Sequence, residues 1–118
     1  MAKFLFVITR GLEDPVRVTR ALFLAKVAKE GGHEVDVFLT DDAVIIAKPG
    51  MVDNVMTPTG DEAASHLGYL EANGVVLHVC TPCAQSRQIK EDELIENARF
   101  ATGPELIEMA TKATVFTF

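Results

Sequence analysis

The apolar residues of this chain gather into five short runs, with polar or helix-forming stretches between them. The first, KFLFVIT (3–9), is apolar almost throughout, closes at Arg10-Gly11, and predicts a strand buried on both faces. In HEVDVFLT (33–40), Val35, Val37 and Leu39 alternate with Asp36 and Phe38, which is the two-residue period of a strand. GVVLHVC (74–80) predicts a third strand, ARFA (98–101) a short fourth, and ATVFTF (113–118) a fifth.

The intervening stretches carry helix signals. Asp14-Pro15 supplies an N-cap and a first helical residue whose missing N–H costs nothing. Val16 to Glu30 is rich in Ala, Leu, Lys and Arg, and Gly31-Gly32 stops it, because glycine enters the left-handed region without a Cβ clash. Thr59-x-x-Glu62 and Thr102-x-x-Glu105 both have the form of a capping box, the second with Pro104 in its first turn.

Strand and helix alternating through one domain of residues 1–118 predict an α/β fold. The expected form is a three-layer α/β/α sandwich with a mostly parallel sheet of about five strands and right-handed crossovers. Residues 41–60 break the rhythm. They leave room for a short helix at Ala43–Ala47 before Pro49-Gly50, then place Met51, Val52, Val55 and Met56 in a connection. Such a segment either tucks onto its own domain or serves as a subunit contact or lid.

Composition narrows the function classes. The 11 Lys and Arg against 17 Asp and Glu give a net charge of −6 without a basic cluster, so nucleic acid is not an expected partner. No apolar run approaches the ~20 residues of a membrane span. Phe4 to Ile8 is too short for a signal sequence, whose apolar core needs roughly 7–15 residues, and the expected compartment is the cytoplasm. A single glycine in TRGLEDP leaves the first strand without a phosphate-binding loop, and no cofactor is expected. Neither a Ser-His-Asp order nor a carboxylate pair stands out for hydrolysis.

The chemistry concentrates in VCTPCAQSR (79–87), which holds the chain's two cysteines. Cys80 ends the third strand and therefore lies on the carboxyl rim of the sheet, where α/β proteins place their ligands. A helix starting near Pro82 would direct unpaired N–H groups at a thiolate, and such placement lowers a thiol from about 8.5 into the ~3.5–7.5 range. Arg87, one turn beyond Cys83, adds a positive charge if it folds back.

Four readings follow. A metal site is disfavoured, because one C-x-x-C gives two ligands and His33, His66 and His78 lack ligand spacing. A dithiol redox couple, two small core residues and a sulfur carrier remain. Among the neighbours, Thr81 lies between the cysteines. His78 shares the face of Cys80 as a base or as a hydrogen-bonded core residue. Arg10 reaches the same rim or solvent, and Asp41 or Asp42 caps the short helix.

The run from Cys80 through Arg87 and Ile89, with the acidic EDEL stretch and the closing helix and strand ending VFTF, resembles the DsrE/DsrF-like family of sulfur-relay proteins. The opening KFLFVITRG and the first helix fit the same pattern. The resemblance implies a parallel α/β sandwich, an acidic helix at EDEL and assembly into homo-trimers or hexamers. It further implies a sulfurtransferase-like role in which Cys80 carries a persulfide between sulfur donor and acceptor proteins. Arg87 matches the family's arginine, and Cys83 would be a resolving or receiving thiol.

Overall fold

The computed structural model describes residues 1–118. Five strands form one sheet: β1 (Lys3–Ile8), β2 (Glu34–Leu39), β3 (Leu77–Cys80), β4 (Ala98–Ala101) and β5 (Thr114–Thr117). Their order is β4-β3-β2-β1-β5, and every neighbouring pair is parallel. The helices are α1 (Pro15–Glu30), α2 (Ala63–Ala72), the short α3 (Thr81–Ser86) and α4 (Gly103–Ala110).

The predicted α/β sandwich with a parallel sheet of five strands is the observed architecture. Residues 4–8 and 35–39 read as strands because their side chains are covered on both sides, Leu5, Phe6, Ile8, Val37, Phe38 and Leu39 being at most 1% exposed. One face of the sheet (Phe6, Ile8, Val37, Leu39, Leu77, Val79) packs against α1, α2 and α3 through Val18, Leu22, Ala25, Leu67, Leu70 and Ala84. The other face carries Leu5, Val7 and Phe38 and is covered by α4 through Leu106, Met109 and Ala110. Progress from β1 to β4 runs one way across the sheet, and the step from β4 to β5 runs back. A single crossover hand then requires α4 to lie opposite the other helices.

The N-caps of α1 and α4 follow the sequence, and two others depart from it. Asp14 Oδ1 accepts from Arg17 N at 3.2 Å with Pro15 at the first position of α1, and Gly32 turns the chain at φ +84°. Thr102 and Glu105 form the reciprocal capping box of α4. Thr59, in contrast, caps nothing. Its hydroxyl pairs with the Thr57 hydroxyl at 2.8 Å, Thr57 Oγ1 accepts from Asp61 N at 3.2 Å, and α2 begins later with Glu62 at its N-cap. A local turn captured the hydroxyl before a helix could use it.

Residues 41–47 form a 3₁₀ helix rather than an α-helix. The N-cap is Thr40, without a side-chain capping bond, and neither Asp41 nor Asp42 caps the segment as expected. The EDEL segment is likewise a single 3₁₀ turn, Glu91–Glu93. In the connection that follows Pro49-Gly50, Val52 and Val55 are buried in the core, while Met51 and Met56 stay exposed at 37% and 45%.

Candidate functional site

Three strand ends meet on the carboxyl rim. Leu39 of β2 pairs with Val79 of β3, so the next residues, Thr40 and Cys80, leave the sheet side by side. Cys80 is both the last residue of β3 and the N-cap of α3, and Pro82 fits the first turn of that helix. Cys83 then occupies the third helical position, the one whose N–H an N-cap side chain normally engages. The two thiols are therefore brought together by a strand–helix junction and are both free and partly exposed.

Cys83 is the better-held sulfur. Thr40 Oγ1 lies 3.5 Å from Cys83 Sγ. Thr40 is itself fixed by its backbone, its N–H donating to Ile8 O at 3.0 Å and its carbonyl accepting from Ala43 N at 3.0 Å. Asp41 follows with φ +53°, a left-handed conformation that Asp tolerates better than most residues. Partial burial pushes the Cys83 thiol up, but hydrogen bonds from Cys80, Thr40 and the Asp41 N–H outweigh it and lower the thiol.

Cys80 moves the other way. Burial raises it, and so does the use of its proton by Cys83, against smaller lowering contributions from the Cys83 N–H and Thr40. The sequence had pointed to Cys80 as the acidic thiol. In the structure the surroundings raise Cys80 and lower Cys83, so Cys83 is the more acidic of the two.

Arg87 folds back as anticipated, but not onto sulfur. Its Nη1 donates to the Cys83 carbonyl at 3.1 Å and its Nη2 to Asp42 Oδ1 at 2.8 Å. The pairing with Asp42 is the largest cause that raises the Arg87 value, and the charge interaction with Cys83 adds a smaller contribution. Thr81 donates its hydroxyl to Ala101 O at 2.9 Å, tying the start of α3 to the end of β4. Arg10 is exposed beyond the end of β1. The reversal of strand order lies between β1 and β5, so the cysteines use the carboxyl rim two strands away from that crevice.

His78 shares the Cys80 face but turns to Asp36, with Nε2 and Oδ1 3.0 Å apart under α4. The other two histidines are also engaged, His66 with Asp61 and His33 with the Ala2 N–H. The bond from His78 holds Asp36 below the usual carboxylate range, opposed by burial and helped by the charges of His78 and Lys3. A carboxyl lowered by folding adds stability above its unfolded value of about 3.9, and this is lost as pH falls through the folded value. The stability difference between wild type and Asp36→Asn, read from urea midpoints, should be present near neutrality and shrink as pH falls below the unfolded value of about 3.9. A difference that stayed constant down to about pH 2 would mean that ionised Asp36 contributes nothing.

Thr40 and the Asp41 N–H are the site groups that sequence reasoning missed. A Thr-Asp pair closing an apolar run is visible, but its nearness to Cys83 depends on β2 and β3 being neighbours in register.

Comparison with known proteins agrees with this architecture. The model of the DsrE/DsrF-like family, a family associated with sulfur relay, matches residues 2–118. The uncharacterized protein MJ0989 of Methanocaldococcus jannaschii is 34% identical over 120 residues, covering 98% of this chain and 99% of that protein. Among solved structures, the ychN protein from E. coli superposes with a TM-score of 0.82 at 25% identity, over 100% of both chains. MTH1491 from Methanobacterium thermoautotrophicum shares the fold, with a TM-score of 0.69 at 13% identity over 100% of both chains. On the match of sequence and fold along its length, this chain belongs to the DsrE/DsrF-like family.

Proposed function

We propose that the protein is a sulfur-relay carrier that holds sulfane sulfur as a persulfide on Cys80 and passes it to the thiol of a partner protein. The observation that carries this reading is the pair of free, partly exposed thiols on the carboxyl rim, one of them 3.5 Å from the Thr40 hydroxyl and lowered by its surroundings. A thiolate at neutral pH is the form that accepts sulfane sulfur. Membership of a family associated with sulfur relay supports the same chemistry.

The carrier works as a homo-oligomer in the cytoplasm, a trimer or hexamer by family resemblance. Exposed Met51, Met56, Ile107, Val115 and Phe116 supply apolar surface for the contacts. No helix is long and apolar enough to cross a membrane.

The test is incubation with a small persulfide donor, localisation of sulfur by fragment mass spectrometry, and transfer to a thiol acceptor. Wild type should hold the sulfur at rest on Cys80 and turn over repeatedly, with a light-scattering mass that is a multiple of 12.8 kDa. Cys80→Ser should lose repeated transfer. Sulfur resting wholly on Cys83, or none on the protein, would overturn the assignment. A wild type that ends as the internal Cys80–Cys83 disulfide, with sulfide released, would favour a dithiol redox couple instead. That alternative rests on the same closeness of the two thiols.

A further inference from the structure

The two cysteines are held differently, and the difference gives the relay a direction. Cys83 Sγ lies against the Thr40 hydroxyl at 3.5 Å, and the chain turns left-handed at the next residue, Asp41 (φ +53°), whose backbone N–H helps to lower the thiol. When the sulfur is ionised, only the hydroxyl can donate, so this contact favours charge on Cys83. Thr40 is anchored through its backbone to Ile8 and Ala43, which holds the residue in place beside Cys83. The Asp41 carboxylate opposes the thiolate, and Arg87 is paired with Asp42, so the hydrogen bonds and not a net positive field hold the charge. Thr40 and the Cys83 N–H also lower Cys80, but by less than burial and Cys83 raise it.

We propose that Cys83 is the receiving thiol and Thr40 its positioning residue, sulfane sulfur entering on Cys83 and passing from there to Cys80. The inference rests on the sulfur-carrier reading and adds the order of the two steps.

In the first step the Cys83 thiolate attacks the outer sulfur of a persulfide donor, R–S–SH. A bond forms between Cys83 Sγ and that sulfur, the donor S–S bond breaks, and the electron pair leaves on R–S⁻. The proton of Cys80 passes to R–S⁻, giving R–SH. In the second step the Cys80 thiolate attacks the outer sulfur of Cys83–S–SH. The Cys83 S–S bond breaks, and the electron pair returns to Cys83 Sγ beside the Thr40 hydroxyl. The products are Cys80–S–SH and the original Cys83 thiolate, with no oxidant or reductant consumed. A sulfur that is stable as an anion is the better leaving group, so the groups that make Cys83 a receiver also drive the sulfur on to Cys80.

Rapid-quench loading with glutathione persulfide, followed by alkylation and fragment mass spectrometry, separates the steps. In wild type the label should appear first on Cys83 and then on Cys80. Cys80→Ser should trap it on Cys83, and Cys83→Ser should load Cys80 about tenfold more slowly than wild type loads. In a Cys80→Ser background, Thr40→Val should raise the pH midpoint of Cys83 alkylation by about one unit, and Thr40→Ser should restore it. Loading of Cys83→Ser at the wild-type rate, or an alkylation midpoint unmoved by Thr40→Val, would overturn the proposal while leaving the carrier reading standing. Failure of wild type to take sulfane sulfur on either cysteine would remove both.

Discussion

Gly11→Ala should destabilise the protein by about 1–3 kcal/mol and at the same time weaken the acidity of Cys83. A Cβ on Gly11 would fall inside the contact distance of the Asp42 carbonyl oxygen and lie 3.1 Å from Ile45 Cγ2. Both belong to the 3₁₀ segment after β2, so the new methyl group meets backbone rather than the end of a flexible side chain. The segment must move, and it begins beside Thr40, whose hydroxyl lies 3.5 Å from Cys83 Sγ, and at Asp41, whose backbone helps to lower that thiol. Urea unfolding reads the first effect, and the pH midpoint of Cys83 alkylation in the Cys80→Ser background reads the second. A variant as stable as wild type with the same midpoint would show that the two loops do not need their close approach.

The second large effect is in the core. Phe6→Ala should cost about 3–5 kcal/mol, because the ring is 1% exposed and its removal leaves a cavity between sheet and helix. The ring also stacks on Phe116 at 5.2 Å and 13°, and lies 6.4 Å from Phe118. Against a typical domain stability of about 5–15 kcal/mol, this loss would leave a protein close to its unfolding limit. Phe116→Ala, at a ring 42% exposed, should cost clearly less. Equal urea midpoints for the two variants would mean that the Phe6 site collapses without leaving a cavity.

The fold was legible because its strands are short, apolar and covered on two sides, and its helices carry explicit starts and stops. Where reading failed, a local competitor intervened. Thr59 had the spacing of a cap, yet Thr57 was near enough to take its hydroxyl. The EDEL residues suit a helix by composition, but only the turn Glu91–Glu93 forms, and the Glu91 carboxylate accepts from Phe100 N at 2.8 Å. For the site, the strand-end position of Cys80 could be read from its run, since a strand that stops at a Cys-x-Pro puts that residue on the rim. The acidity of Cys83 could not. It depends on Thr40 and Asp41, which are 43 residues away from Cys83 in the first case and reach it only through sheet register. Arg87 was foreseen as a neighbour, but its choice of Asp42 over the thiols is again a contact across two loops.

The place of β5 bears on how the molecule assembles. This strand pairs with β1 from Phe4↔Thr114 to Val7↔Thr117, and Thr9 Oγ1 donates to Phe118 O across a separation of 109 residues. β1 pairs with β2 after a single helical crossover, but its other edge is filled by one of the longest loop closures in the chain. That closure carries the greatest entropic cost, so the β1–β5 ladder should form late on the folding path. Until then the apolar edge of β1, with Phe4 and Phe6 on it, is an open template for strands of other molecules. The arrangement that completes the sheet is thus also the step at which folding competes with aggregation.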